Sequence, residues 1–266
     1  MPAFQAEPGM PYWIDLSTSD IRKSSHFYAE LLGWEIETFD NGYRLARLQG
    51  LPVAGFMPAP EDSPQPDIWV TYFFSEDIHA DCQQIEQLGG RVLANPAEVR
   101  LGLMALCVDT AGALVGLIQP AGEDSFIAAG EPGTPVWHEL TCTTNYEQAV
   151  EFYRSLFAWM TAAMDEMEYT TALVDGAAFA GVFNAEGQFP PQVPSFWQSY
   201  LGVRDIDEAV AKVPELGGEV IREHWDSPFG RMSIIADSTG ATCTLCEVDE
   251  PVEEPRESDP LEGIEL

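Results

Sequence analysis

PDIWVTYFFSEDIHADCQQIEQLGGRV, residues 66–92, lies over PSFWQSYLGVRDIDEAVAKVPELGGEV, residues 194–220, at a constant offset of 128. Trp69 meets Trp197, Tyr72 meets Tyr200, Asp77-Ile78 meets Asp205-Ile206, and Gly89-Gly90 meets Gly217-Gly218. The offset runs on without a gap through Gly102, Met104, Asp109 and Gly112 to Gly230, Met232, Asp237 and Gly240. Upstream, PYWIDL from Pro11 matches PVWHEL from Pro135, and Phe27-Tyr28 with Trp34 matches Phe152-Tyr153 with Trp159, the offset drifting between 124 and 125. A one-residue insertion after Leu140 accounts for the drift. The chain is therefore a tandem duplication and must be read one copy at a time.

Each copy divides again. An alternating strand leads to a helix and then to short strands, from Pro11 to about Met57 and again from about Ile68 to Ile118. Asp20, Asp77, Asn145 and Asp205 stand where helices begin, as short side chains whose oxygens can accept free N–H groups of a first turn. Behind Asn145, the apolar residues Tyr146, Ala149, Val150, Tyr153, Leu156 and Phe157 recur at spacings of three and four, which predicts one buried stripe. Gly89-Gly90 and Gly217-Gly218 are expected to end the second helices by admitting a left-handed residue, while Pro214 counts against continuity of the last helix. The fold expected is α+β: four βαβββ modules making two domains, residues 11–120 and 135–248. They are joined by a linker over 121–134 and flanked by an N-terminal extension, 1–10, and a disordered acidic tail, 249–266.

The 266 residues carry 44 Asp and Glu against 12 Lys and Arg, a formal charge of −32. Binding a phosphate backbone requires clustered basic residues, so nucleic acid and anionic membrane are excluded as partners. No apolar run approaches the roughly 20 residues of a membrane span, and MPAFQAEPGM has no signal-peptide pattern, which points to the cytoplasm. The five cysteines are odd in number and scattered, as in a reduced protein. Cys243 and Cys246 have C-x-x-C spacing but fall in a strand, where positions i and i+3 face opposite ways.

Three motifs now carry a resemblance: Asp20 followed by Phe27-Tyr28, Leu31 and Gly33-Trp34; Asp77-Ile78 followed by Leu88-Gly89-Gly90; and Asp109 with Gly112 before a last strand. With their counterparts in the second copy, they make residues 11–248 similar to the glyoxalase/bleomycin-resistance/extradiol-dioxygenase family of the vicinal oxygen chelate superfamily. The resemblance implies paired modules whose sheets curl into half-barrels around a small-molecule cavity. It further implies a divalent ion held there by His, Glu or Gln, for lyase or dioxygenase chemistry.

Strand parity then selects the residues facing each cavity. Ile14 and Leu16 suit packing on the helix of Phe27 and Leu31, which sends Trp13 and Asp15 the other way. In the second copy His138 and Leu140 are expected to face the helix, with Trp137 and Glu139 facing the cavity. Val70 and Tyr72, and Gln198 and Tyr200, complete the inward set. The family's ligand positions carry over to Trp13, Trp137, Val70, Gln198, Gly116 and Thr244. Only Gln198 among them can coordinate, where a stable site wants three or four ligands.

The binding residues expected are Trp13, Asp15, Tyr72, Trp137, Glu139, Gln198 and Tyr200. They form an aromatic surface for a small organic molecule, with one acid per copy as polar handle and no tightly held metal. A carboxylate in an apolar hollow needs solvent or a partner such as Arg47. Two alternatives stand beside this reading. One is a glyoxalase-type lyase or extradiol-type dioxygenase holding Fe, Mn, Ni or Zn through Gln198, Glu139 or, at a bulge, His138. The other is a scaffold that has kept only the fold. A monomer is favoured over a homodimer, since an internal duplication can stand in for one.

Overall fold

The computed structural model describes residues 3–60, 66–121, 126–164, 168–227 and 229–249. In chain order the elements are β1 (Ala3–Gln5), β2 (Pro11–Thr18), α1 (Ile21–Leu32), β3 (Glu35–Thr38), β4 (Arg44–Leu48), β5 (Leu51–Pro58), β6 (Ile68–Phe74), α2 (Ile78–Gln87), β7 (Arg91–Val99), β8 (Gly102–Val108), β9 (Leu114–Pro120) and β10 (Phe126–Ala128). There follow β11 (Pro135–Cys142), α3 (Tyr146–Phe157), β12 (Met160–Met164), β13 (Tyr169–Val174), β14 (Ala177–Asn184), β15 (Phe196–Val203), α4 (Ile206–Glu215), β16 (Glu219–Ser227), β17 (Gly230–Ala236) and β18 (Thr242–Glu247). The expected linker contains β10, which pairs antiparallel with β1. Beyond Asp249 the expected acidic tail lies outside the described residues.

Each copy forms one mixed eight-stranded sheet, in the order β3-β4-β5-β2-β6-β9-β8-β7 and β12-β13-β14-β11-β15-β18-β17-β16. The two modules of a copy meet at the antiparallel pairs β2–β6 and β11–β15, so the opening strands lie side by side at mid-sheet. This is the four-module α+β fold that the repeat predicts.

The helices lie between the copies. One core joins Phe27, Tyr28 and Leu31 of α1 to Ile206, Ala209, Val210 and Val213 of α4, so the outer modules of the chain share their apolar interior. A second core joins Ile78, Cys82 and Ile85 of α2 to Ala149, Phe152, Tyr153 and Leu156 of α3. Burying each stripe against the other copy is what the 3.6-residue periodicity demands. Within each glycine pair the roles split. Gly89 and Gly217 take φ of 94° and 83°, as expected at helix ends. Gly90 and Gly218 instead make room: a methyl there would strike the carbonyls of Val108 and Ala236 on the neighbouring strand and press on Phe152 and Phe27 of the opposite copy.

Two local expectations change. Asp20, Asp77 and Asp205 accept from first-turn amides, but Asn145 adopts the left-handed conformation and makes no capping bond. The Glu186 carboxylate accepts from Tyr146 N instead, at 3.2 Å. Pro214 does not break α4, because it sits in the last turn and Leu216 N closes on Lys212 O.

Candidate functional site on the concave sheet faces

Alternation along β2 and β11 sorts the side chains as parity requires. Ile14 and Leu16 join the core with α1. Trp13 lies opposite Tyr72 and Asp15 opposite Val70 on the other face, and Trp137 opposite Tyr200 and Glu139 opposite Gln198 in the second sheet. All seven expected residues therefore fall on concave faces, in two clusters, one per copy.

In the first copy the hollow is filled. Trp13, Tyr72, Val70, Leu45 and Ile118 form one buried cluster. The Tyr72 ring covers Gly116, where a methyl would strike it. Asp15 is 1 % exposed. Its Oδ1 accepts from Trp13 Nε1 at 2.9 Å and from the Tyr43 hydroxyl at 2.7 Å. Burial pushes this carboxyl up to about 6, and the two hydrogen bonds only partly offset the loss of water. Arg47, the partner expected from sequence, instead pairs with Glu37 through contacts of 3.1 and 3.2 Å.

The second copy repeats the pattern with a longer acid and a more open setting. Trp137 Nε1 donates to the Tyr169 oxygen at 3.0 Å, and the Tyr169 hydroxyl donates to Glu139 Oε2 at 3.0 Å. Gln198 Nε2 donates to Glu139 Oε1 at 3.2 Å, and Thr244 Oγ1 donates to Gln198 Oε1 at 3.2 Å. The Tyr200 hydroxyl also acts on the Glu139 carboxylate and favours its charged form. Burial raises the Glu139 carboxyl and these donors hold it down, while the same carboxylate and burial push both phenols well above their ordinary value. Trp137, Glu139 and Gln198 are half-buried where Trp13, Asp15 and Val70 are buried.

Sequence reasoning missed Tyr43 and Tyr169, which orient the two acids, and Gly55 and Gly181 beneath their hydroxyls, where a methyl would collide with the tyrosine oxygen. A signal was present: Tyr43 and Tyr169, and Gly55 and Gly181, share one offset of 126 in the duplication.

The donors do not make up the divalent-metal set that the resemblance implies. At the carried-over positions, Gly116 is covered by Tyr72, Trp13 and Val70 are buried apolar surface, and Gln198 and Thr244 are bonded to each other. Glu139 adds one carboxylate already engaged by a phenol and an amide. One acid, one amide and hydroxyls fall short of the anionic or imidazole ligands that hold such ions. Among the described residues no group of three or more His, Cys, Asp or Glu is placed to hold a metal. His138 lies on the face turned toward the other copy, with Nδ1 3.0 Å from Ser199 Oγ. Cys243 packs with Tyr28 and Cys246 with Tyr200, on opposite faces, so the C-x-x-C pair does not converge.

Comparison with known proteins agrees with the fold. A family model described as the Glyoxalase/Bleomycin resistance protein/Dioxygenase superfamily matches residues 12–117 and 138–245. The "Putative glyoxylase CFP32" of Mycobacterium tuberculosis is 32 % identical over 244 residues, covering 88 % of this chain and 92 % of that protein. The "Anthracycline biosynthesis protein DnrV" of Streptomyces peucetius is 30 % identical over 268 residues, covering 91 % and 94 %. Among solved structures, the Mn(II)-bound glyoxalase from Novosphingobium aromaticivorans superposes with a TM-score of 0.61 at 16 % identity, covering 91 % of this chain and 83 % of that one. The 2,2',3-trihydroxybiphenyl 1,2-dioxygenase from Sphingomonas wittichii strain RW1 gives 0.62 at 13 %, covering 93 % of each. At these identities the likeness is one of fold.

Proposed function

The chain belongs to the glyoxalase/bleomycin resistance protein/dioxygenase superfamily, and from that premise we propose that it binds a small, flat organic molecule on the concave face of its second copy, without a tightly held metal. The observation that carries the reading is the contrast between the copies: Asp15 is sealed under Trp13 and Tyr43, whereas Glu139 and Gln198 are half-buried at an equivalent place. Trp137 offers a stacking surface, and the Glu139 carboxylate with the Tyr169 and Tyr200 hydroxyls offers an acceptor beside donors for the hydroxyl or keto groups of a ligand. The anthracycline relative's name makes a hydroxylated polycyclic quinone a reasonable first probe. The protein acts as a cytoplasmic monomer, and the first copy supports the second rather than binding a ligand of its own.

The test is titration of the full chain with 1,2-dihydroxyanthraquinone. Trp137→Ala and Glu139→Gln are each expected to weaken binding about tenfold, the usual size of one lost stacking or charge-assisted contact, while Trp13→Ala leaves it unchanged. Equal affinity in all three variants overturns the site. Elemental analysis of protein purified without chelators bears on the metal: stoichiometric Fe, Mn, Ni or Zn that disappears in Gln198→Ala or Glu139→Gln would replace this reading with metal-dependent lyase or dioxygenase chemistry.

A further inference from the structure

The duplication places matching residues of the two copies around a second hollow at the junction of the copies, which Trp13 and Trp137 of the concave faces also line. Tyr12, Ile14 and Val53 of the first copy and Val136, His138 and Phe179 of the second line a cavity of about 190 Å³. These are equivalent positions in three pairs: Tyr12 with Val136, Ile14 with His138, and Val53 with Phe179. The walls are thus mostly apolar on both sides, and at one place a polar ring replaces an aliphatic side chain. Where the first copy has Ile14, buried in the core with α1, the second has an imidazole.

That imidazole is held in place. Its Nδ1 lies 3.0 Å from Ser199 Oγ, and Ser199 Oγ lies 3.3 Å from Thr71 Oγ1 of the facing sheet. Burial drives the imidazole pKa down to about 3, so the ring stays neutral at ordinary pH. A neutral imidazole with Nδ1 engaged has Nε2 left to pair, as donor if Ser199 donates to Nδ1 and as acceptor if Nδ1 carries the proton. A polar ring edge in a mostly apolar hollow is costly without a partner, so an occupant that supplies one is favoured.

We propose that this inter-copy cavity is a second binding site, for a single-ring molecule bearing a hydroxyl group, with His138 as the residue that recognises the hydroxyl. Size selects the ring: an apolar cavity of about 150 Å³ takes up benzene, and this one has room for a small substituent besides. The hydroxyl follows from the ambiguity at Nε2, because O–H can donate to it or accept from it and so satisfies either tautomer. The apolar walls contributed by both copies would clamp the ring, so occupancy ties the two halves of the chain together.

The experiment is ¹⁹F NMR titration of the full chain with 4-fluorophenol and, separately, fluorobenzene. The expected result is saturable binding with about a tenfold preference for 4-fluorophenol, the worth of one hydrogen bond, and loss of that preference in His138→Leu, which restores the residue class of the first copy. Glu139→Gln is expected to leave the binding unchanged, which separates this cavity from the concave site. Absence of binding to the wild-type chain overturns the proposal, as does equal affinity for the two probes. If His138→Leu fails to fold, the wild-type preference still decides. Loss of 4-fluorophenol binding in Glu139→Gln but not in His138→Leu would assign the ring to the concave face and sink the cavity while leaving the proposed function intact.

Discussion

At the scale of single residues, the two acids show how one position serves two ends. Asp15 and Glu139 occupy equivalent places, each beside a tyrosine from the start of the strand two places away, lying over a glycine of the strand between. The shorter acid is drawn wholly under its indole, and the longer one reaches into a network that includes an amide. The sealed acid has a thermodynamic signature. The folded chain holds the Asp15 proton up to about pH 6, while an unfolded chain releases it near 3.8, so folding takes up a proton between those values. The stability this confers is fully present below pH 3.8 and is lost as pH rises through 6, by about 3 kcal/mol in all. Asp15→Asn removes that slope, and the difference between wild-type and variant unfolding free energies, measured by urea denaturation from pH 4 to 7, should narrow as pH falls.

At the scale of elements, the helix starts obey local chemistry in three cases and tertiary chemistry in the fourth. Asp20, Asp77 and Asp205 cap their own first turns. Asn145 is a good capping residue in sequence terms, but its left-handed backbone turns its amide to Thr110 O, and Glu186, forty residues on, takes over the first amide of α3. Asp20→Ala should therefore cost about 1 kcal/mol, while Asn145→Gly should cost little because glycine prefers that backbone and no capping bond is lost. Thermal unfolding of the two variants compares them directly. The glycine pairs carry the same lesson: the left-handed member is readable from the helix end, but the need for space at Gly90 and Gly218 arises from the carbonyls of Val108 and Ala236 and from aromatic rings of the other copy, which only the packed structure brings there.

At the scale of the molecule, the charge of −32 is spread over a chain whose two sheets are held together by apolar cores. Self-repulsion of that size is screened by salt, so the melting temperature should rise as KCl is raised from about 0.01 M, where the screening length is about 30 Å, to 1 M, where it is about 3 Å. Scanning calorimetry over that series would contradict this if melting fell or stayed level. The sequence by itself determined the duplication, the four modules, the strand parity that put Trp13 and Asp15 on one face and Ile14 and Leu16 on the other, and the lack of a metal donor set at the family's positions. Each of these follows from periodicity or residue identity along one stretch of chain. The tertiary structure alone decided that Tyr43 and Tyr169 orient the acids, that Arg47 pairs with Glu37, that Asp15 is buried while Glu139 and Gln198 stay half-buried, and that His138 borders a cavity between the copies. Those depend on which strands become neighbours and how deeply side chains sink, and a one-dimensional pattern fixes the face a residue points to but not what meets it there.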